Sequence, residues 1–192
     1  MFTISANICN KLTINNSIFI TELIKINSVE DTTIILTEIK KKHKKADHYC
    51  YGFIVDDFIK SSDDKEPTKT AGPPILNALT TNNLNHVICI VIRYFGGIKL
   101  GTGGLIRAYS KCTKEAIKLA NLTEIKNNFI CEINFDFNNK KLVDNILKDT
   151  HLIKKSFTNT IVYQFIIDNY LLDNVLLKLK LNNIKIKSIT KI

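Results

Sequence analysis

The chain has 192 residues, 45% of them hydrophobic, and a formal net charge of +9. That length fits one or two domains, each able to bury a core, and no apolar stretch approaches a membrane span. The basic balance tilts toward polyanion partners, yet an Asn-rich, Lys-rich and Arg-poor composition accounts for much of it without any partner.

Ser17 to Ile26 reads as a first strand. Ser28-Val29-Glu30-Asp31 then looks like a helix start, with Ser28 as cap and an acid three residues on. Ile35, Leu36 and Ile39 give that helix its apolar face. Its end carries Lys40, Lys41, Lys42, Lys44 and Lys45, which complement the helix dipole and are also placed to touch a phosphate backbone. A second strand is expected over 48–58, followed by a polar loop from Ser61 to Pro67. Pro73 and Pro74 suit the first turn of a helix that carries Ile75, Leu76 and Leu79 and stops near Asn82-Asn83. Val87 to Ile92 is apolar on both faces and should be a central strand covered on both sides.

A glycine cluster follows. Five of the seven glycines fall in the run Gly96-Gly97-Ile98-Lys99-Leu100-Gly101-Thr102-Gly103-Gly104. The chain's two arginines, Arg93 and Arg107, bracket it. Such a cluster supplies positive-φ backbone or lets something approach the main chain closely. A helix from about 104 to 120, with Leu105, Ala108, Cys112, Ala116 and Leu119 inward, completes a strand–loop–helix layout suited to an anion. The nucleotide fingerprints fail: Gly101 is followed by Thr102 rather than by the lysine of a Walker loop, and the run does not spell G-x-G-x-x-G. The two open readings are a tight glycine-lined crossing and a site for phosphate or nucleic acid, with Arg93, Lys99 and Arg107 as its cations.

The second half, 122–192, alternates differently. Cys131, Ile133, Phe135 and Phe137 share one face of a strand. A short helix with Leu142, Val143, Ile146 and Leu147 follows, then strands at 151–157 and 160–168. A helix with Leu171, Leu172, Val175, Leu176 and Leu179 and a last strand with Ile184, Ile186 and Ile189 complete the order βαββαβ, the pattern of a ferredoxin-like sandwich. This half lacks glycine, proline and catalytic clusters, so docking a protein partner is its expected role.

The five cysteines, at 9, 50, 89, 112 and 131, are odd in number and contain no C-x-x-C. Cys89, inside an apolar strand, and Cys112, on an apolar helix face, are expected to be reduced core thiols, with a cytoplasmic location rather than disulfides or zinc. No signal peptide is visible, since no basic segment followed by an apolar run opens the chain.

The stretch Arg93 to Ser110 resembles the signature of the Impact family, whose bacterial members are called YigZ-type proteins. Three further stretches match in order. Ser17-Ile18-Phe19-Ile20 is similar to the family's S-x-F-I strand. Ala46-Asp47-His48-Tyr49-Cys50-Tyr51-Gly52 is similar to A-x-H-x-C-x-A, with Gly52 for the usual alanine. Ser62 to Pro74 is similar to S-D-D-G-E-P-x-G-T-A-G-x-P, with Lys65 and Lys69 in place of glycines. If those glycines take φ > 0, lysine is strained there, and the added charge weakens any acidic role for the loop.

The resemblance implies an α+β protein of two domains. Residues 1–121 would have the fold of ribosomal protein S5 domain 2, shared with domain IV of elongation factor G. Residues 122–192 would resemble that factor's domain V. It also implies a link to translation control; the eukaryotic members' kinase-pathway role depends on an extra N-terminal domain and is not expected of this chain. The expected function is binding of RNA or the ribosome through Arg93, Gly96, Gly97, Lys99, Gly101, Gly103, Gly104 and Arg107. His48, Tyr94 and Tyr109 would flank that site and offer stacking or hydrogen bonds.

An enzyme is the alternative, acting on a small phosphorylated or peptide substrate with the same loop as cradle. Cys50 with His48 as base is conceivable, though two strand residues i and i+2 sit about 7 Å apart, too far for a direct bond. Asp63, Asp64 and Glu66 could hold a hard cation, or else make turn and cap bonds beside Thr70. The latter is the expectation: no metal and no cofactor.

Overall fold

The computed structural model describes residues 1–125 and 128–192, in two units, Met1–Ile125 and Lys126–Ile192. The first unit begins with two strands that precede the one expected from the sequence, β1 (Phe2–Ile4) and β2 (Ile8–Ile14), before β3 (Ser17–Lys25). Asn15 and Asn16, at φ 44° and 61°, make the two-residue turn that joins β2 to β3. Then come α1 (Val29–Lys42), β4 (His48–Val55), β5 (Phe58–Ser62), α2 (Gly72–Thr81), β6 (Val87–Tyr94), α3 (Gly101–Leu119) and β7 (Leu122–Glu124). Because β7 pairs with β1, Leu122–Glu124 pack with the first unit, three residues past the expected boundary at 121.

The main sheet has the order β2-β3-β6-β4-β5, all antiparallel. β6 is central and buried from Val87 to Arg93. On one face Cys89 and Val91 meet Ile75 and Leu79 of α2 and Leu105, Ala108 and Cys112 of α3. On the other, Ile88, Ile90 and Ile92 meet Ile35, Leu36 and Ile39 of α1. Each such aliphatic side chain contributes about 1.5–3 kcal/mol relative to exposure, which makes β6 the strand on which the unit is assembled.

Local signals set the helix ends. In α1 the Ser28 side chain accepts from the Asp31 N–H, and the Asp31 carboxylate accepts from the Ser28 N–H at 3.1 Å, a reciprocal cap. α2 opens with Pro73 and Pro74 in its first turn. α3 starts at Gly101, three residues before the expected start. The expected loop at Ser61–Pro67 is shortened too, since Ser61 and Ser62 end β5 at the sheet edge.

The second unit comprises β8 (Asn128–Phe135), a 3₁₀ turn at Phe137–Asn139, α4 (Lys140–Ile146), β9 (His151–Phe157), β10 (Ile161–Asp168), α5 (Asn169–Leu181) and β11 (Lys185–Lys191). The order is the βαββαβ read from the sequence, and the antiparallel sheet runs β11-β8-β10-β9. Cys131, Ile133 and Phe135 pack with Ile161, Tyr163, Phe165 and Ile167 beneath Val143, Leu172, Val175 and Leu179. Phe137 does not continue that strand face as expected; it lies in the 3₁₀ turn, exposed, because β8 ends at Phe135.

Candidate functional site: a buried polar knot beside a basic helix

The glycines divide among three tasks. Gly96 crosses the β2–β3 turn so closely that a Cβ there would run into the Asn16 carbonyl. Its N–H donates to the Ser17 Oγ at 3.2 Å. Gly97 and Gly101 take φ +84° and +68° in open space, so conformation rather than room requires glycine. Gly101, Gly103 and Gly104 lie in the first turn of α3, which corrects the expected long loop. The residue before that turn is Leu100, and no side chain caps the helix. Its first N–H groups therefore keep their unsatisfied polarity.

Arg93, expected to contact phosphate, is 4% exposed and committed internally. Its Nη1 donates to Glu66 Oε1 at 2.7 Å, and its Nη2 donates to Ser17 Oγ at 3.3 Å. The guanidinium lies between the rings of Phe19 and Phe95, 5.5 and 5.4 Å from their centroids. Its Nε is buried and has no partner. Glu66 Oε1 also accepts from the Tyr109 hydroxyl at 2.8 Å, and His48 Nε2 stands 3.8 Å away. The structure thus brings together Glu66, Arg93, Tyr109, His48 and Cys50, but as an inward-facing knot.

The rest of the motif braces this knot. Asp63 Oδ1 accepts the N–H groups of Ala71 and Gly72 at 2.9 and 2.8 Å, and Oδ2 accepts that of Lys69 at 2.8 Å. Burial pushes the Asp63 carboxyl up, but those three N–H groups together hold it below its ordinary value. Asp64 accepts the Tyr49 N–H at 2.7 Å, and its carbonyl meets His48 Nδ1 at 2.9 Å. The Thr70 hydroxyl donates to the Pro67 carbonyl at 2.6 Å. Lys65 and Lys69 stand at φ 69° and 64°, the left-handed conformation that glycine would take without strain. Among the described residues no group of three or more acids, histidines or cysteines is arranged to hold a metal ion.

Three flanking expectations are corrected. Tyr109 is fully buried, so it offers no stacking face. Tyr94 follows Arg93 in β6 and therefore points to the opposite face of the sheet, where its hydroxyl lies 2.9 Å from His43 Nδ1. The Cys50 thiol donates to the Asp63 carbonyl at 3.0 Å, and burial pushes its pKa up to about 12. Burial thus favours the thiol over the thiolate, and the Asp63 carbonyl rather than His48 takes its hydrogen bond.

Beside the knot, two surfaces are open to a ligand. One is a cleft of about 340 Å³ between the 66–67 loop and the start of α3. Glu66, Arg93, Phe95, Lys99, Gly101 and Thr102 line it, with Leu105 on an otherwise apolar wall. The other is the outer side of α3. Arg107 is exposed there and lies back toward Gly103, whose added Cβ would stand 3.4 Å from Arg107 Nη1. Lys111, Lys114 and Lys118 continue along the same shallow groove. The sequence reading missed these three lysines, although the spacing i, i+4, i+7, i+11 from Arg107 was legible as one helix face. The acid on this groove, Glu115, is paired with Lys118 at 2.8 Å.

Residues 15–117 match the Impact N-terminal domain. The chain is 34% identical to the IMPACT family member YvyE of Bacillus subtilis over 157 residues, 80% of this chain and 72% of that protein. It is 37% identical to an IMPACT family member of Haemophilus influenzae over 139 residues, 69% of this chain and 67% of the relative. A crystal structure described as that of a hypothetical protein has the same fold, with a TM-score of 0.67 and 23% identity over 97% of this chain and 96% of that one. The knot around Glu66 and Arg93 and the glycine-rich start of α3 both lie inside the matched segment, and the chain belongs to the Impact family.

Proposed function

We propose that this protein is a translation-associated regulator that contacts RNA or the ribosome through Lys99 and the outer face of α3. The observation that carries the reading is the stripe Arg107, Lys111, Lys114 and Lys118, spread over about 17 Å of helix with one paired acid among them. Cations so placed neutralise phosphates and release counterions, an interaction that needs no base-specific contact. Arg93 has a supporting part, holding the knot from which α3 emerges, while the glycines set the start of the helix.

Family membership supports the link to translation. The sheet order of the second unit suits a ferredoxin-like domain of the elongation factor G domain V kind, and the first unit would be the S5 domain 2-like partner. Exposed Phe157, Tyr170 and Leu181 on the second unit suit a protein partner. A cytoplasmic location follows from such a role. No helix among the described residues is long and apolar enough to cross a membrane.

The test is sedimentation of the full chain with ribosomes at two salt concentrations. Association at low salt that weakens steeply with added salt is expected, and Lys111→Ala with Lys114→Ala should lower it. Absence from ribosomal fractions at low salt would defeat the reading.

A further inference from the structure

The second unit carries an outer surface that its own fold does not use. Leu172, Val175 and Leu179 of α5 are buried against the sheet, yet Tyr170, Leu177 and Leu181 on the opposite side are 77%, 58% and 73% exposed. A surface helix ordinarily turns a polar face to water. α3 of this same chain does so, with Arg107, Lys111, Lys114 and Lys118 at successive steps of four, three and four residues. Tyr170, Asn174, Leu177 and Leu181 repeat those steps on α5, and they are the steps of a coiled-coil seam. Leu142 of the adjoining α4 is also exposed.

We propose that α5 is a homodimer interface, on which the α5 of a second copy of this chain packs antiparallel. The proposal rests on the reading of the second unit as a protein-contact surface and names its partner; it does not depend on the RNA contact of α3.

Charge selects the occupant. Asp173 and Lys180 lie on one flank of the seam, two turns apart, and neither has an ion-pair partner among the described residues. A two-fold axis beside Leu177, perpendicular to the helix, sets each Asp173 opposite Lys180 of the other copy. On the other flank Asn174 meets Lys178, so no like charges face one another. A parallel pairing would instead bring Lys180 against Lys178 across the seam. The same axis places Leu177 against its own copy at the centre, with Tyr170 and Leu181 meeting on either side. A surface that matches itself in apolar pattern and in charge is what an isologous dimer requires. The helix has 13 residues, so the seam is about 20 Å long. One helix pair of that length buries less than the roughly 1,600 Å² of a standard interface, and a reversible dimer in the micromolar range is expected.

The experiment is sedimentation velocity of the full chain from about 1 µM to 1 mM. The average mass should rise with concentration from that of a monomer toward twice that value. Leu177→Glu should weaken association at least about tenfold. Its melting temperature in dilute solution should stay that of the parent, since Leu177 is exposed in the single chain. Asp173→Lys and Lys180→Asp should each weaken association several-fold by opposing like charges, and the two together should restore it. That rescue is specific to the antiparallel pairing. Lys111→Ala with Lys114→Ala should leave the dimer intact. A chain that stays monomeric at every concentration, or that pairs only with a different protein through α5, would overturn the proposal. So would a dimer untouched by Leu177→Glu, or a double exchange that fails to restore association. A monomer that still sediments with ribosomes would overturn the dimer alone and leave the stripe on α3 standing.

Discussion

Arg93 and Arg107 bracket one glycine-rich segment, yet they live in opposite worlds. Arg93 is the last buried residue of the central strand, so its side chain must enter the core and find a counter-charge there, and it finds Glu66. Arg107 sits in the second turn of a helix, on the side that faces away from the sheet, and its neighbours at helical spacing are lysines. Identical chemistry thus yields a structural brace in one case and an open cationic surface in the other. The difference lies in the element that carries each residue.

The sharpest way to break this contrast is to remove one partner of the buried pair. Arg93→Ala or Glu66→Ala should cost about 3–5 kcal/mol, because each leaves an uncompensated charge in the core. Urea denaturation monitored by circular dichroism reads this directly. A loss below about 1 kcal/mol would mean that the knot is not a brace. Gly96→Ala comes next, at about 1–3 kcal/mol, since its Cβ would overlap the Asn16 carbonyl and force the β2–β3 turn away.

A smaller effect of opposite sign is expected at the loop that supports the knot. Lys65 and Lys69 hold left-handed backbone, where glycine escapes the strain of an L side chain. Lys65→Gly and Lys69→Gly should each stabilise by about 0.5–1 kcal/mol, the relief of strain exceeding the entropy that glycine adds to the unfolded chain. Asp63 gives the same loop a pH dependence. Its folded pKa lies below its ordinary value of 3.8, so its stabilisation is present above that value and is lost as pH falls through the folded pKa. Asp63→Asn should therefore flatten the acid limb of a stability–pH curve between those limits.

Much of the scaffold could be read in the chain. The apolar run of β6, the Ser28 cap and the prolines of α2 are local signals that tertiary structure had no reason to override. β2 and β5 were harder, because they are edge strands. Phe58, Ile59 and Lys60 of β5 are all exposed, so hydrogen bonding to β4 places it rather than periodicity, whereas β2 alternates half-buried and exposed residues along β3. The candidate site was legible as a set of residues but not as an arrangement. Nothing in the order of the chain says that Glu66 reaches Arg93, a contact across 27 positions, or that Tyr109 is turned inward to the same carboxylate. The lysines of α3 were legible by spacing and were hidden only by a chain rich in lysine throughout.

The smallest stability change belongs to Arg107, and it sharpens the comparison most. Arg107 is exposed and its neighbours are cations, so Arg107→Ala should move stability by no more than about 0.5 kcal/mol. Binding is where the loss should show. If Arg107 meets one phosphate, the slope of log affinity against log salt should fall by about one unit, with little dependence on RNA sequence. A variant that is as stable as the parent and keeps the full salt slope would assign Arg107 to the solvated surface and leave the lysines to carry any contact. A variant that loses the slope while remaining folded would separate the two arginines completely: one needed to fold, the other needed to bind.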